Sequence, residues 1–134
     1  MKKLILLSGG NTGIGKATVK DMSARGARVV ILCRSLDKGN DAAMDIEKVT
    51  GNKVESKQLD LSSLKSVRQC ASNLANQLDK VDILINNAGI ICPELKTEDG
   101  FDMQFATNHL GHFLLTELLL PLLKKSASGG VVPR

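Results

Sequence analysis

Apolar and polar residues alternate in blocks along this chain, and the blocks differ in kind. Leu4–Leu7 is an unbroken apolar run, the signature of a strand covered on both faces. A glycine cluster follows, then a helical pattern to about Arg25, with Gly26 placed to close it by taking a positive φ. Arg28–Cys33 carries Val29-Val30-Ile31-Leu32 and predicts a second buried strand. Ser35 can cap a helix reaching about Thr50, closed by Gly51. Val54–Leu59 predicts a weaker third strand. Leu64, Val67, Ala71, Leu74 and Leu78 draw one apolar stripe at helical spacing, with Ser62 or Ser63 as its cap. Val81–Ile85 is a fourth strand, ended by Asn86-Asn87-Ala88-Gly89. A loop with Pro93 leads to a long helix from about Gly100 to Lys125, in which Pro121 predicts a bend or an early end.

Strands alternating with helices predict an α/β fold with a parallel sheet and βαβ crossovers. The expected order is 3-2-1-4, a Rossmann-like sheet of about four strands flanked by helices. Residues 1–125 form one unit, and 126–134 are a tail whose Val131-Val132 reads as an aborted fifth strand. A length of 134 residues suits one domain.

Composition removes several function classes. The net charge is +4, but no basic run exceeds two residues, and there are only three Phe, no Trp and no Tyr. That is neither the basic stripe nor the stacking platform of a nucleic-acid binder, so no nucleic-acid partner is expected. Cys33, Cys70 and Cys92 are isolated and odd in number, which predicts reduced thiols on the cytoplasmic side, in a reducing compartment. The apolar run after Lys2-Lys3 is too short for a signal peptide. The run from Phe113 to Leu123 spans 11 residues, against the roughly 20 of a membrane span.

Five features carry candidate chemistry. Ser8-Gly9-Gly10-Asn11-Thr12-Gly13-Ile14-Gly15 lies between a strand and a helix, where glycines let the backbone approach a pyrophosphate at a helix N-terminus. Cys33-Arg34 ends the second strand where an acid often binds a ribose 2′-OH. An arginine there, with Lys38 a turn later, suits a 2′-phosphate instead; an exposed arginine at a helix entry is the plainer alternative. Asp60-Leu61 follows the third strand, and Asp60 reads equally as an acceptor for an adenine amino group or as a helix-entry acid. Asn86-Asn87-Ala88-Gly89 lies at the carboxyl end of the fourth strand, where open α/β sheets bind ligands, yet it is also a good turn by composition. On the last helix Asn108 and His112 share a face. His109 and His112 lack a third ligand nearby, so packing is favoured over a metal.

Together these motifs resemble the short-chain dehydrogenase/reductase family from about Lys3 to Lys125. Val30-Ile31-Leu32-Cys33-Arg34 and the stretch from Asp99 to Thr116 are similar to its retinol dehydrogenase branch. The resemblance implies an oxidoreductase that moves a hydride between a nicotinamide and an alcohol or carbonyl, with a retinol-like or lipid-like substrate and NADP(H) favoured over NAD(H). It implies that Gly9, Gly13 and Gly15 cradle the pyrophosphate, with Ser8, Asn11, Thr12 and Ile14 in the same loop. Arg34 would hold the 2′-phosphate, Asp60 and Leu61 would contact adenine, and Asn87, Ala88 and Gly89 would line the ribose region. Asn108 would be the Asn of the family's catalytic tetrad, which helps bind a proton-relay water.

The tetrad's Ser, Tyr and Lys find no counterpart in these 134 residues, and the chain holds no Tyr at all. A positioned acid or base is worth about 10²–10⁴ in rate, so no meaningful turnover is expected of the chain alone. It reads as the N-terminal part of such an enzyme. A non-catalytic NADP(H)-binding or protein-interaction module is the alternative. Self-association through an exposed edge at Val81–Ile85, or through the last helix, is expected as well.

Overall fold

The central strand is the most deeply buried segment. In the computed structural model, which describes residues 2–126 and 129–133, β1 (Leu4–Ser8) is buried at all five positions. It pairs in parallel with β2 (Arg28–Cys33) on one side and β4 (Ile83–Ile85) on the other. Strand β3 (Glu55–Gln58) pairs with β2, and β5 (Gly130–Val132) pairs with β4, all parallel, giving the order β3-β2-β1-β4-β5. The Rossmann-like reading of the sequence is therefore correct, with one strand added.

Side-chain alternation along β1 and β2 sorts the core into two layers. Leu4, Leu6, Val30 and Leu32 face one cluster with Val67, Leu74, Leu115 and Leu119, residues of α3 (Leu64–Gln77) and α5 (Gly111–Lys124). Ile5, Leu7, Val29 and Ile31 face the other, with Val19, Ala42 and Ile46 of α1 (Gly13–Ala24) and α2 (Leu36–Thr50). The caps follow the chemistry of the sequence. Ser35 accepts from Lys38 N–H at α2, and Gly51 ends that helix at φ 75°. Ser63 is the cap of α3, accepting from Ser66 N–H. Strand β3 is polar, Glu-Ser-Lys-Gln, as suits a sheet edge, and Arg28 grips Glu55 across it through two bonds of 2.7 and 3.1 Å.

Three sequence expectations are corrected. First, Val81–Ile85 is not an edge. Val131 and Val132 pair with Leu84 and Ile85, and the backbone bonds Gly130 N–H to Asp82 C=O (3.0 Å) and Asn86 N–H to Val132 C=O (2.9 Å) close the ladder. The fifth strand forms because β-branched residues meet a strand with a whole unpaired side. The tail's Ala127, Ser128 and Arg134 lie outside the described residues. Second, the last helix starts at Met103, later than Gly100, because Asp102 accepts from Phe105 N–H as its cap. It runs as α4 (Met103–Phe105), a π-helical turn (Ala106–Leu110) and α5 without a break. Third, Pro121 does not end it. The helix continues to Lys124, and Leu122 C=O accepts from Val81 N–H at 3.1 Å, docking the helix end on the start of β4.

Candidate functional site: a groove over the carboxyl ends of the strands

After β1 the chain builds β2 and β3 on one side, then returns to place β4 on the other. The loops leaving β1 and β4 therefore part in opposite directions and open a crevice, the position open α/β sheets use for ligands. A groove of about 720 Å³ lies there. Its walls come from the Gly9–Gly15 loop, Cys33-Arg34 with Lys38, Asp60-Leu61 and Asn87-Ala88-Gly89. Four of the five motifs, spread over 80 residues of sequence, thus meet in one cleft.

The glycine loop fits a pyrophosphate. Gly9 and Gly13 take left-handed φ of 70° and 54°. Gly15 is needed for closeness instead: a Cβ there would collide with the Gly9 carbonyl and stand 2.6 Å from Asn87 Nδ2. Helix α1 begins over the groove, the Thr12 side chain makes no capping bond, and no acid lies in the first turn. Its positive end is left for an external anion. Ile14 is 82% exposed at the same turn, an apolar surface for a ligand to cover.

The other walls are held from below. Asn87 Nδ2 donates to the Ser8 and Gly9 carbonyls at 3.1 and 3.3 Å, fixing the turn after β4 to the loop after β1. Asp60 Oδ1 accepts from Ser62 N–H (3.0 Å) and Ser62 Oγ–H (2.6 Å) in a tight turn. Ser63 caps α3, and Asp60 shapes the loop that enters it, its N–H donating to Ser66 Oγ at 2.9 Å. Arg34 and Lys38 are exposed, and no ion pair among the described residues engages either. Cys33 is buried beside them, and desolvation pushes its thiol pKa up, as it does that of Cys70, to about 11. All three cysteines are free.

Ser8 and Asn108 stand differently from the rest. Ser8 is fully buried and does not line the groove; its hydroxyl lies beneath the wall, against Asn87, Ala88 and His112. Asn108 lies in the π turn, next to the wall residue Thr107. Its side chain closes a pair of bonds with the Ile90 backbone, accepting from N–H at 2.8 Å and donating to C=O at 2.9 Å. A π turn inserts one residue and re-aims the groups around it, a device common at functional sites. His109 stacks on Phe105 at 5.3 Å between ring centroids. Among the described residues no three His, Cys, Asp or Glu side chains form a metal-binding group, and no helix is long and apolar enough to cross a membrane.

The sequence reading named Asn86 and His112 but not their partners. Asn86 donates to Thr116 Oγ1 at 3.0 Å while its Oδ1 stays buried without a partner. His112 is 5% exposed and reaches Ser8, 104 residues away. The polar pair Asn108 and His112 on an otherwise apolar helix was the available signal.

Known proteins match this arrangement. The family model described as short chain dehydrogenase matches residues 3–133. Retinol dehydrogenase 13 of Homo sapiens is 49% identical over 132 residues, covering 97% of this chain and 40% of that protein. Retinol dehydrogenase 11 of Mus musculus is 51% identical, covering 97% and 42%. A short chain dehydrogenase of Escherichia coli CFT073, solved in complex with NADPH, superposes at a TM-score of 0.83 with 28% identity, covering 96% of this chain and 56% of that one. The chain thus spans about two fifths of the length of these curated relatives.

Proposed function

Since the chain belongs to the short-chain dehydrogenase family, we propose that its groove binds a nicotinamide dinucleotide, NADP(H) in preference to NAD(H), in an oxidoreductase that interconverts an alcohol and its carbonyl. The observation that carries this is the Gly9–Gly15 loop, locked by Gly15 against Asn87 and opening an uncapped helix N-terminus onto the groove. The cofactor supplies the hydride acceptor or donor. The chain's own part is to hold it. Gly9, Gly13 and Gly15 let backbone N–H groups reach the pyrophosphate, with Asn11, Thr12 and Ile14 beside them. Asp60 and Leu61 flank the adenine, and Asn87, Ala88 and Gly89 the ribose next to the nicotinamide. Asn108, clamped on Ile90, borders the reacting end.

Likeness to the retinol dehydrogenases supports a retinol-like or lipid-like substrate for the whole enzyme. The 134 residues contain no Tyr to move the proton, which favours cofactor binding without turnover by the chain as it stands. The outer edge of β5 and the exposed Phe105 and Phe113 favour self-association.

The preference for NADP(H) rests on Arg34, with Lys38, in the wall after β2. Arg34→Asp removes a guanidinium that can pair with a phosphate and adds a repelling carboxylate. Losing a charge-assisted bond costs about 1.5–3 kcal/mol, so NADPH binding should weaken roughly 10- to 100-fold, with NADH unchanged or improved. Cofactor fluorescence titrations of both variants with both nucleotides test this. Equal weakening of NADPH and NADH would remove Arg34 from the phosphate site.

A further inference from the structure

The hydrogen bonds under the groove leave one residue with a determined protonation pattern. The buried Ser8 hydroxyl receives the Asn87 and Ala88 N–H groups, each at 3.0 Å, and lies 2.7 Å from His112 Nε2. A serine hydroxyl has two lone pairs and one proton. The two amides fill the lone pairs, so the proton goes to His112 Nε2. That nitrogen is then the acceptor, and the ring proton sits on Nδ1, which donates to the Asn108 carbonyl at 3.3 Å. We infer that His112 is a positioning residue: its fixed Nδ1–H tautomer ties the Asn87-Ala88 wall, through Ser8, to the Asn108 carbonyl in the π turn, so that both sides of the groove hold one geometry.

The chain of bonds crosses three parts of the fold that lie far apart in sequence: the end of β1, the turn after β4 and the last helix. Without an acceptor for its proton, the Ser8 hydroxyl turns away; Ala88 N–H loses its partner, and Asn87 N–H keeps only the Ile85 carbonyl. A hydrogen bond in a buried network counts for more than an exposed one, because no water replaces it.

Two replacements separate the roles. In His112→Gln the side-chain carbonyl reaches the place of Nε2 and can still accept from Ser8. In His112→Phe nothing can. Amide exchange at Ala88 should quicken about tenfold in His112→Phe and stay near the original rate in His112→Gln, with a smaller change at Asn87, whose N–H also donates to the Ile85 carbonyl at 3.1 Å. Nitrogen-15 spectra of the unaltered chain should show an unprotonated Nε2 and a protonated Nδ1 at His112. Ser8→Thr should keep that pattern, and Ser8→Ala should release it to a mixture of tautomers. A protonated Nε2 in the unaltered neutral ring, an unchanged tautomer in Ser8→Ala, or equal exchange in the Gln and Phe variants would overturn the inference. If His112→Phe does not fold, the Ser8 pair still decides it. The inference rests on the proposed dinucleotide groove only for its meaning in binding. These readouts need no cofactor, so failure to bind NADPH would count against the groove and leave the tautomer result standing.

Discussion

Gly15→Ala will weaken dinucleotide binding by about 100-fold or more and destabilise the chain, while Gly13→Ala two residues earlier will do less. The added methyl at Gly15 meets the Gly9 carbonyl, and it stands 2.6 Å from the Asn87 amide that bonds Ser8 and Gly9. Backbone lies on one side and an anchored side chain on the other, so neither can yield cheaply. Overpacking of this kind costs about 1–3 kcal/mol, and the loss of the Asn87 bonds adds to it. NADPH affinity should fall at least about 100-fold, because the loop that would hold the pyrophosphate is the part pushed aside. At Gly13 a Cβ meets open space, and the cost is the left-handed φ of 54°, about 1–2 kcal/mol. Thermal melts and NADPH titrations of the two variants check the contrast. Retention of full affinity by Gly15→Ala would show that the loop does not touch the ligand.

Asp82→Ala will cause the largest loss of stability from one polar residue. Asp82 is 1% exposed at the start of β4, at the opposite end of the sheet from the groove. Its carboxylate accepts from Leu4 N–H at 2.7 Å and from the Ser126 hydroxyl, with Lys80 Nζ at 3.7 Å. Alanine leaves Leu4 N–H buried without an acceptor and frees the segment that leads into β5. A loss of about 3 kcal/mol is expected, or about 10 °C in Tm for a chain of this size. The Ser126 and Leu4 bonds hold the Asp82 carboxyl below its ordinary pKa. Its stabilising effect is therefore complete above the unfolded value of about 3.9 and fades as pH falls through the lower folded value. The gap in Tm between the unaltered chain and Asp82→Asn should be constant near neutral pH and close in acid. Denaturation scans from neutral pH downward measure it.

Much of the fold was legible because local physics dictated it. The runs Leu4–Leu7 and Val29–Leu32 have few homes other than a doubly covered sheet, and Ser35 and Gly51 bound their helix as their chemistry requires. What local pattern could not supply was the pairing of the last strand. Strand β5 is three residues long, and its place depends on Asp82 and Asn86 some 45 residues earlier. The π turn likewise answers to a distant partner, the Ile90 backbone that Asn108 grips. Within the groove, the glycine loop, Arg34, Asp60-Leu61 and Asn87-Ala88-Gly89 were all found by motif, and the structure gathers them. Ser8 shows the boundary of that method. Its place in the motif suggested a loop residue at the ligand, whereas the pleat of β1 turns its hydroxyl inward, to His112 and the turn after β4.

The most direct test of the groove is a titration of the nitrogen-15-labelled chain with NADPH, following backbone amides. Saturable shifts are expected at Gly13–Gly15, at Asp60-Leu61 and at Asn87–Gly89, with half-saturation below millimolar nucleotide. Absence of saturable shifts at millimolar NADPH, or shifts confined to the surface hollow around Lys65 and Arg68 on α3, would contradict it.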